Sequence, residues 1–233
     1  MLVSAYGRTT CAWQVGLLFL AAGVTLFGLR QLFPAQPAVW ALAAIPAGIG
    51  LFVLSFYRDP ERTGPSDPAI LLSPADGTVT DIAEVDEPHY LGGRATRVGI
   101  FLSPLNVHVN RSPLAATVEA VVHKEGRCLP ATGPACIDQN ASALLGLKGD
   151  NGLRVAVRQV TGALARTIVC PATVGQRLGR GERYGMIKLG SRTELLVPVE
   201  AGFVPAVTIG QTVKGGETPL GRVEARALAG GAA

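Results

Sequence analysis

The chain of 233 residues is 48% hydrophobic and only 16% charged, which is more apolar than a typical soluble enzyme. Its net charge of +4 is modest and argues against a nucleic-acid-binding protein, which needs a clustered basic face. The four cysteines, at positions 11, 128, 136 and 170, form no CxxC pair, so their spacing does not predict a zinc site.

The N-terminal region contains two uncharged and largely apolar runs, Cys11–Leu29 and Ala38–Phe56. As helices, each run would be roughly 28 Å long, which is close to the hydrocarbon thickness of a bilayer. The link between them contains Arg30 and two prolines, which suits a turn at the membrane interface. A cleaved signal peptide would account for the first run but not for the second. We therefore predict a membrane-associated helical hairpin over residues 1–56.

Two basic residues, Arg58 and Arg62, follow the second run directly. Because basic residues that flank membrane segments tend to stay on the cytoplasmic side, we expect a cell-membrane protein whose main domain, residues 57–233, is cytoplasmic. Pro46 and Gly48 interrupt the second run, so a spanning hairpin and a shallow re-entrant hairpin both stay open.

After residue 56 the character of the chain changes to short apolar runs rich in Val, Ile and Thr, separated by Gly and Pro. This pattern is typical of many short strands. Only Ile137–Leu145 is predicted as a helix. The fold class is therefore mostly β, with a sandwich or barrel-sandwich-like body and few short helices. The predicted strands include Gly77–Val85, Thr96–Leu102, Ala116–His123, Arg154–Val160, Arg166–Pro171 and Leu195–Val199.

An internal repeat lies in the C-terminal part of the chain. The residues Val174-Gly175-Gln176 and Gly181-Glu182 recur 35 positions later as Ile209-Gly210-Gln211 and Gly216-Glu217. Each copy predicts a strand, a tight turn and a second strand, because a Gly-Glu turn needs the backbone freedom of glycine. The repeat resembles the barrel-sandwich pattern of biotinyl and lipoyl carrier domains, but neither copy presents the lysine at a hairpin tip that a carrier requires.

The Gly190-Ser191 bond at the end of an apolar run is the first candidate for chemistry. The serine hydroxyl can attack the preceding carbonyl, and glycine permits the strained backbone that this N→O acyl shift requires. β-Elimination from the resulting ester gives dehydroalanine at residue 191, which hydrolyses to a pyruvoyl group and ammonia. Most Gly-Ser pairs are ordinary turns, so the bond gains meaning only from its surroundings.

Two further segments supply candidate acid–base groups. Asp76 lies in an Asp-Gly turn before a predicted strand, and His108 lies in an alternating apolar stretch with polar neighbours. An ordinary turn and a packed core histidine are the simplest interpretations of these two residues. Among the three histidines, however, His108 has the densest polar neighbourhood, and histidine is the side chain suited to proton transfer near neutral pH.

Four motifs, in this order, resemble the short bacterial phosphatidylserine decarboxylase proenzymes. The resemblance extends from about residue 56 to residue 223, and four linked motifs are far more specific than any one alone. It implies a carboxy-lyase that converts phosphatidylserine in the membrane to phosphatidylethanolamine, in phospholipid biosynthesis. The motifs are Phe56–Arg62, Ser73–Gly77, Leu105–Arg111 and Gly181–Ser191.

The resemblance further implies a pyruvoyl enzyme made from a single precursor. Autocatalytic cleavage between Gly190 and Ser191 would give a β chain, Met1–Gly190, and an α chain, Ser191–Ala233, which together form a heterodimer. The pyruvoyl group derived from Ser191 would form a Schiff base with the substrate amine and act as an electron sink, without a metal or a soluble cofactor. Assembly into a higher oligomer and the acyl-chain preference stay open.

Family resemblance also places Asp76 and His108 near Ser191. In longer relatives an Asp-His-Ser relay promotes cleavage and a second histidine follows the first by three positions, whereas this chain has Arg111 there. His108 is therefore the candidate for cleavage, for proton donation to the carbanion, or for both. Arg111 and Arg192 are candidates for binding the substrate phosphate.

Two other classes of function stay open on the sequence alone. A non-enzymatic membrane-anchored sandwich module that scaffolds a complex would account for the internal repeat and the apolar arm. A membrane-anchored serine hydrolase would use Ser191 as an intact nucleophile, but no nucleophile-elbow sequence surrounds that residue. A denaturing gel separates these alternatives, because only the pyruvoyl enzyme should appear as two chains.

Overall fold

The computed structural model of the chain describes residues 3–131, 135–163, 166–188 and 191–224. The chain divides into two compact units, Met1–Pro60 and Glu61–Ala233. The sequence places this division four residues earlier, between the apolar arm and the remainder of the chain.

The first unit is a pair of apolar helical segments joined by a short turn. Gly50 in the second segment lies against the side chains of Leu18 and Phe19 in the first, so the two segments pack along each other. Both segments are long and apolar enough to cross a membrane, judged by length and composition. The predicted hydrophobic hairpin is confirmed. Its elements are α1 (Arg8–Leu32), α2 (Pro37–Trp40), a 3-10 helix (Ala41–Ala43) and α3 (Ala44–Phe56).

The second unit is mostly β, as predicted. Short runs of β-branched and apolar residues form strands that end at glycines, prolines and polar turns. The strands are β1 (Ile70–Leu72), β2 (Gly77–Glu87), β3 (Gly93–Leu102), β4 (Val109–Arg111), β5 (Ala116–Lys124), β6 (Ser142–Gly149), β7 (Arg154–Val160), β8 (Thr167–Val169), β9 (Arg177–Leu178), β10 (Arg183–Lys188), β11 (Ser191–Pro198), β12 (Val204–Pro205), β13 (Thr212–Val213) and β14 (Pro219–Arg222), with a helix α4 (Ala135–Gln139) before β6 and a 3-10 helix (Val199–Ala201) after β11.

These strands form one large sheet and two small ones, and every pair of neighbours is antiparallel. The large sheet has the order β13-β2-β3-β11-β7-β6-β5-β9. The small sheets have the orders β1-β14-β12 and β4-β10-β8. β11 therefore lies within the large sheet, between β3 and β7, whereas β10, which precedes it in sequence, belongs to a different sheet.

The large sheet is covered on both faces. Its inner face contributes alternate residues such as Val157 and Leu195 to the main hydrophobic core. Its outer face contributes a smaller cluster that includes Ala156 and Leu196. Because each fully buried aliphatic side chain contributes about 1.5–3 kcal/mol, the two clusters fix which residues of each strand face which side.

One element differs from the sequence prediction. The helix predicted over Ile137–Leu145 ends at Gln139, and Ser142–Gly149 forms β6 instead. Asn140 breaks the helix, because its buried amide donates to the carbonyls of Leu129 and Thr161. β6 then lies between β5 and β7 with apolar residues on both faces, and a strand buried on both faces lacks the alternation that distinguishes it from a helix.

The predicted internal repeat is a structural repeat. The glycines of the two Gly-Glu turns, Gly181 and Gly216, adopt φ angles of 71° and 73° and lie against each other. A second repeat was missed in the sequence. Ser73-Pro74 and Ser112-Pro113 form matching turns, in which Gly216 N–H donates to the Ser73 carbonyl and Gly181 N–H donates to the Ser112 carbonyl, at 2.7 and 2.9 Å. Two similar halves thus meet at the paired glycine turns.

Candidate active site

Ser191 is the first residue of β11 and faces the interior of the second unit. It pairs with Leu102 of β3 and lies on the same face of the strand as Thr193 and the core residue Leu195. The side chain is fully buried, and its Oγ has no hydrogen-bond partner among the described residues. Gly190, the predicted other side of the cleavage site, lies outside the described residues. A buried hydroxyl without a partner is uncommon, and the Ser4 hydroxyl of the first unit is another example.

His108 lies beside β3, which pairs with Ser191, and beside β10, which precedes Ser191 in the sequence. It follows the turn after β3, whose last residue pairs with Ser191, and its carbonyl accepts the N–H of Ile187 in β10 at 3.2 Å. The imidazole is fully buried, and its Nδ1 lies 3.0 Å from the Asn106 carbonyl. Because a carbonyl only accepts, Nδ1 carries the proton and Nε2 is the basic nitrogen of the neutral ring. The fold thus brings His108 to the same end of the unit as Ser191.

Asp76 is buried in the turn before β2 and makes a bidentate ion pair with Arg62, with Nη2 2.7 Å from Oδ2. The N–H of Gly215 also donates to its Oδ1 at 2.8 Å. The described partners of this carboxylate are thus Arg62 and Gly215, and the support that we expect from Asp76 for His108 stays a prediction. Arg62 was missed as a site residue, since no local pattern links it to Asp76.

The Asp76 turn is joined to β4, the strand that follows His108. The backbone N–H of Arg111 donates to the Pro74 carbonyl at 2.9 Å. The Arg111 side chain is buried, and its Nη1 donates to the Gly181 carbonyl at 3.1 Å. A Cβ atom on Gly216 would lie 2.7 Å from the Arg111 Cδ, so this side chain is packed against the two glycine turns. The phosphate-binding role of Arg111 stays a prediction.

Arg192 follows Ser191 and therefore lies on the outer face of the large sheet. Its guanidinium donates to Glu194 and to the Thr80 hydroxyl, each at 2.7 Å, and pairs with Asp81. A β-bulge in β2 between Val79 and Asp81 turns both Thr80 and Asp81 toward this arginine. The phosphate-binding role of Arg192 also stays a prediction, and its contacts favour a structural role.

The ion pairs of Arg192 extend into a partly buried network. Arg158 Nε donates to Glu194 at 2.6 Å, and Arg97 Nε donates to Asp81 at 2.9 Å. Burial alone would raise the pKa of Asp81, but the hydrogen bonds and charges of Arg192 and Arg97 lower it below its ordinary value. Burial likewise disfavours the charge on Arg192, whereas Glu194 and Asp81 raise its pKa overall. The carboxylate of Asp81 is thus held ionised.

A chain of buried amides lies on the inner face beside Ser191. Gln159 Nε2 donates to Asn110 Oδ1 at 2.8 Å, and Asn110 Nδ2 donates to the Thr193 hydroxyl at 3.0 Å. All three side chains are almost fully buried. The chain ties β7 and β4 to β11 two residues after Ser191. Sequence reasoning noted Asn110 only as part of a motif and missed the other two residues, because nothing local distinguishes them from ordinary strand residues.

The arrangement suits chemistry on Ser191 itself. The Ser191 hydroxyl is buried and uncommitted, and a buried imidazole lies at the same end of the unit. These features fit a prosthetic group made from the serine in place. Within the described ranges, no group of three or more His, Cys, Asp or Glu side chains could hold a metal ion.

Comparison with known proteins assigns a family to these features. The family model described as phosphatidylserine decarboxylase matches residues 49–221. The phosphatidylserine decarboxylase proenzyme of Trichlorobacter lovleyi is 42% identical over 223 residues, which cover 95% of this chain and 97% of that protein. The proteins of the same name from Symbiobacterium thermophilum and Geobacter sulfurreducens are 46% and 39% identical, over 79% and 88% of this chain and 85% and 94% of their own lengths.

Proposed function

This chain belongs to the phosphatidylserine decarboxylase family, and on that premise we propose that it matures by cleaving itself between Gly190 and Ser191 and works through a pyruvoyl group at residue 191. The observation that carries the proposal is the buried Ser191 hydroxyl, which has no hydrogen-bond partner among the described residues. An uncommitted hydroxyl can approach the preceding carbonyl, and a base that takes its proton makes the oxygen nucleophilic.

In the proposed maturation, Ser191 Oγ forms an ester with the Gly190 carbonyl carbon as the peptide C–N bond breaks. Loss of the Cα proton then breaks the Cβ–Oγ bond and releases the Gly190 carboxylate. Hydrolysis of the remaining dehydroalanine yields the pyruvoyl group and ammonia. His108 Nε2 is the proposed base that removes the hydroxyl proton, because Nδ1 is held by the Asn106 carbonyl.

The sheet pairing supports a product whose two pieces stay together. The segment after the bond pairs with β3 from Ser191 to Pro198 and with β7 from Arg192 to Leu196. Further along, β13 pairs with β2, and β14 pairs with β1. The α chain would therefore remain bound to the β chain as a heterodimer without the peptide bond.

For the decarboxylation itself, the pyruvoyl ketone supplies an electron sink once it has condensed with the amine of phosphatidylserine. His108 is the proposed donor that returns a proton to the carbon that has lost CO2. Asn110 and Gln159 hold β11 through Thr193 and thereby keep residue 191 in place. Asp76, paired with Arg62, is proposed to add a fixed negative charge that favours the protonated imidazole.

The remaining parts of the proposal are the group that binds the lipid phosphate and the place of the enzyme in the cell. We keep Arg111 as the candidate for the lipid phosphate, because it follows His108 by three residues and its backbone N–H donates to the Asp76 turn. Arg192 is less suited, because it lies on the opposite face of β11 from Ser191 and its guanidinium is engaged by carboxylates. The apolar hairpin is proposed to hold the enzyme in the cell membrane, with the catalytic domain on the cytoplasmic side.

The experiment is a denaturing gel and an intact mass measurement on the purified full chain, with Ser191→Ala beside it. The natural chain should give two fragments, the smaller of which begins at residue 191 with a ketone and resists Edman sequencing. Ser191→Ala should stay a single chain with no activity, because alanine has no nucleophilic oxygen. Ser142→Ala, which removes a serine from β6 in the same sheet, should mature normally. An active chain without cleavage would overturn the proposal.

A further inference from the structure

The turn before β2 has a structural counterpart before β5. In the first turn the Ser73 hydroxyl donates to the carbonyl two residues later, and in the second turn the Ser112 hydroxyl does the same, each at 2.7 Å. The carbonyl of each serine accepts the N–H of one of the paired glycine turns. The two turns differ three residues after the serine, where the first has Asp76 and the second has Ala115. One half of the unit therefore has a carboxylate where the other half has a methyl group.

In the first half, the Asp76 carboxylate accepts a backbone N–H and a guanidinium. The donors are the N–H of Gly215 at 2.8 Å and the bidentate Arg62 side chain. The counterpart of Gly215 in the Gly-Glu repeat is Arg180, because each of them directly precedes the glycine of its turn. The Arg180 N–H has no acceptor among the described residues. The second half thus keeps the N–H donor but has no carboxylate to accept it.

The second half also has a guanidinium, on Arg180 itself. This side chain is partly buried, and its Nε and Nη2 donate to the carbonyls of Pro65 and Ile70 at 2.7 and 2.6 Å. It forms no ion pair in the described part of the chain. Burial lowers the pKa of Arg180, and the charge of Asp67 offsets this effect only in part. A partly buried cation that is held by neutral carbonyls would be stabilised by an anion beside it.

Arg180 borders a cavity of about 360 Å³. Asp150 borders it as well, but its carboxylate pairs with Arg177 at 2.7 Å. The Oδ1 of Asn151 accepts the Leu153 N–H at 3.1 Å, so the amide N–H groups of Asn151 are left as donors. The cavity thus combines hydrogen-bond donors with an apolar wall, which is typical of sites for small organic ligands. The lining includes Pro68, Leu114, Ala115, Asn151 and Arg180.

We propose that this cavity binds a small organic carboxylate, whose charged group takes the position that the Asp76 carboxylate has in the other half. Its oxygens accept the Arg180 N–H and Nη1, the guanidinium nitrogen without an acceptor among the described residues. Its apolar part lies against Pro68 and Leu114. The lining does not include Ser191, so the inference is independent of the proposed function.

The test is thermal unfolding of the purified full chain in detergent with sodium propionate, at one scan rate and at an ionic strength held constant with sodium chloride. A ligand that binds only the folded state raises the unfolding temperature, by about 3–5 °C at ten times its Kd. The rise should saturate in the natural chain and should disappear in Arg180→Gln. Arg94→Gln is the matched control, because it removes an exposed arginine of β3 that pairs with Glu84, and it should keep the full rise.

Ala115→Asp supplies the missing carboxylate from the chain itself. This variant should have a higher unfolding temperature than the natural chain without propionate, because the new carboxylate accepts the donors of Arg180. It should also lose the response to propionate, since the introduced group occupies the same position. Ala115→Asn has the same shape without the charge and should not raise the unfolding temperature. This pair of variants tests the site even if Arg180→Gln does not fold.

Three results would overturn the inference. The first is the absence of a saturable rise in the natural chain, and the second is a rise that persists in Ala115→Asp, which would be a general salt effect. The third is a lower unfolding temperature in Ala115→Asp, which would mean that the donors do not face position 115. A larger saturable rise with inorganic phosphate than with propionate would contradict the assignment to a carboxylate. None of these measurements depends on the pyruvoyl group.

Discussion

The two faces of β11 differ in how completely their polar groups are paired. On the outer face, Arg192 and Glu194 satisfy each other and are joined by Asp81 and Arg158. On the inner face, the Ser191 hydroxyl has no partner among the described residues. On one side of β11 the charged side chains are therefore all in ion pairs, and on the other side a buried hydroxyl has no hydrogen-bond partner among the described residues.

The contacts around Ser191 explain how a reactive hydroxyl can be held in place without a hydrogen bond of its own. An unpaired buried polar group costs about 1–3 kcal/mol, so a fold keeps one only where other contacts hold the chain. Here the outer network fixes Arg192, the residue directly after Ser191, and the amide chain fixes Thr193 on the inner face. Changes on the inner face should therefore alter chemistry, and changes on the outer face should alter stability.

The largest effect that we expect from this comparison is on chemistry, in His108→Ala. Removal of the imidazole should slow cleavage, and the cleaved fraction should decarboxylate about 100- to 10,000-fold more slowly, the range that general acid–base groups contribute. The measurements are the cleaved fraction over time on a gel and CO2 release per pyruvoyl.

His123→Ala removes an exposed histidine from the end of β5 and serves as the control, which should behave like the natural chain. If His108→Ala cleaves and turns over normally per pyruvoyl, His108 is only a packed residue. A loss confined to cleavage would assign the proton donation to another group.

A smaller effect, on stability, should follow from Glu194→Gln on the outer face. Glu194 is fully buried between Arg192 and Arg158, so the change removes the carboxylate partner of Arg158 and leaves the buried Arg192 with Asp81 alone. Breaking a buried pair in this way typically costs about 3 kcal/mol or more. Thermal unfolding of the matured enzyme should therefore occur at a clearly lower temperature.

The matched change Glu200→Gln affects an exposed residue of the 3-10 helix after β11 and should leave the unfolding temperature unchanged. Below the unfolding transition, turnover per pyruvoyl in Glu194→Gln should stay within about twofold of the natural value, because the chemistry lies on the other face. A large loss of turnover without a loss of stability would contradict the division between the faces.

The fold class could be predicted from the sequence because its signals are local. Short runs of alternating apolar residues, separated by glycine and proline, predicted β7 with its observed bounds and most of β2 and β3. The Gly-Glu repeat was visible because identical turns need identical residues. β6 was misassigned because both of its faces are buried, which removes the alternation that identifies a strand.

The candidate site could be predicted only in part, for a related physical reason. Ser191 belongs to a contiguous motif that the family resemblance identifies. The partners of the site residues come from distant positions: Asn110 and Thr193 are separated by 83 residues, and Asp76 and the Gly215 amide by 139. Such contacts are set by sheet order and register, which no local pattern specifies.

The smallest expected effect is a pH dependence on the outer face. The pKa of Asp81 is lowered, because Arg192 and Arg97 outweigh the opposing effect of burial. A carboxyl group whose pKa is lower in the folded state stabilises the fold above its unfolded pKa of about 3.9, and this contribution is lost as the pH falls toward the folded value. The difference in unfolding temperature between the natural chain and Asp81→Asn should be constant above about pH 5 and should shrink toward pH 3. Asp150→Asn, which removes an exposed ion pair with Arg177, is the control and should differ little from the natural chain at any pH. A difference for Asp81→Asn that stays the same down to pH 3 would mean that the ionised carboxylate is not what holds Arg192 in place, and the outer face would then stabilise β11 through packing alone.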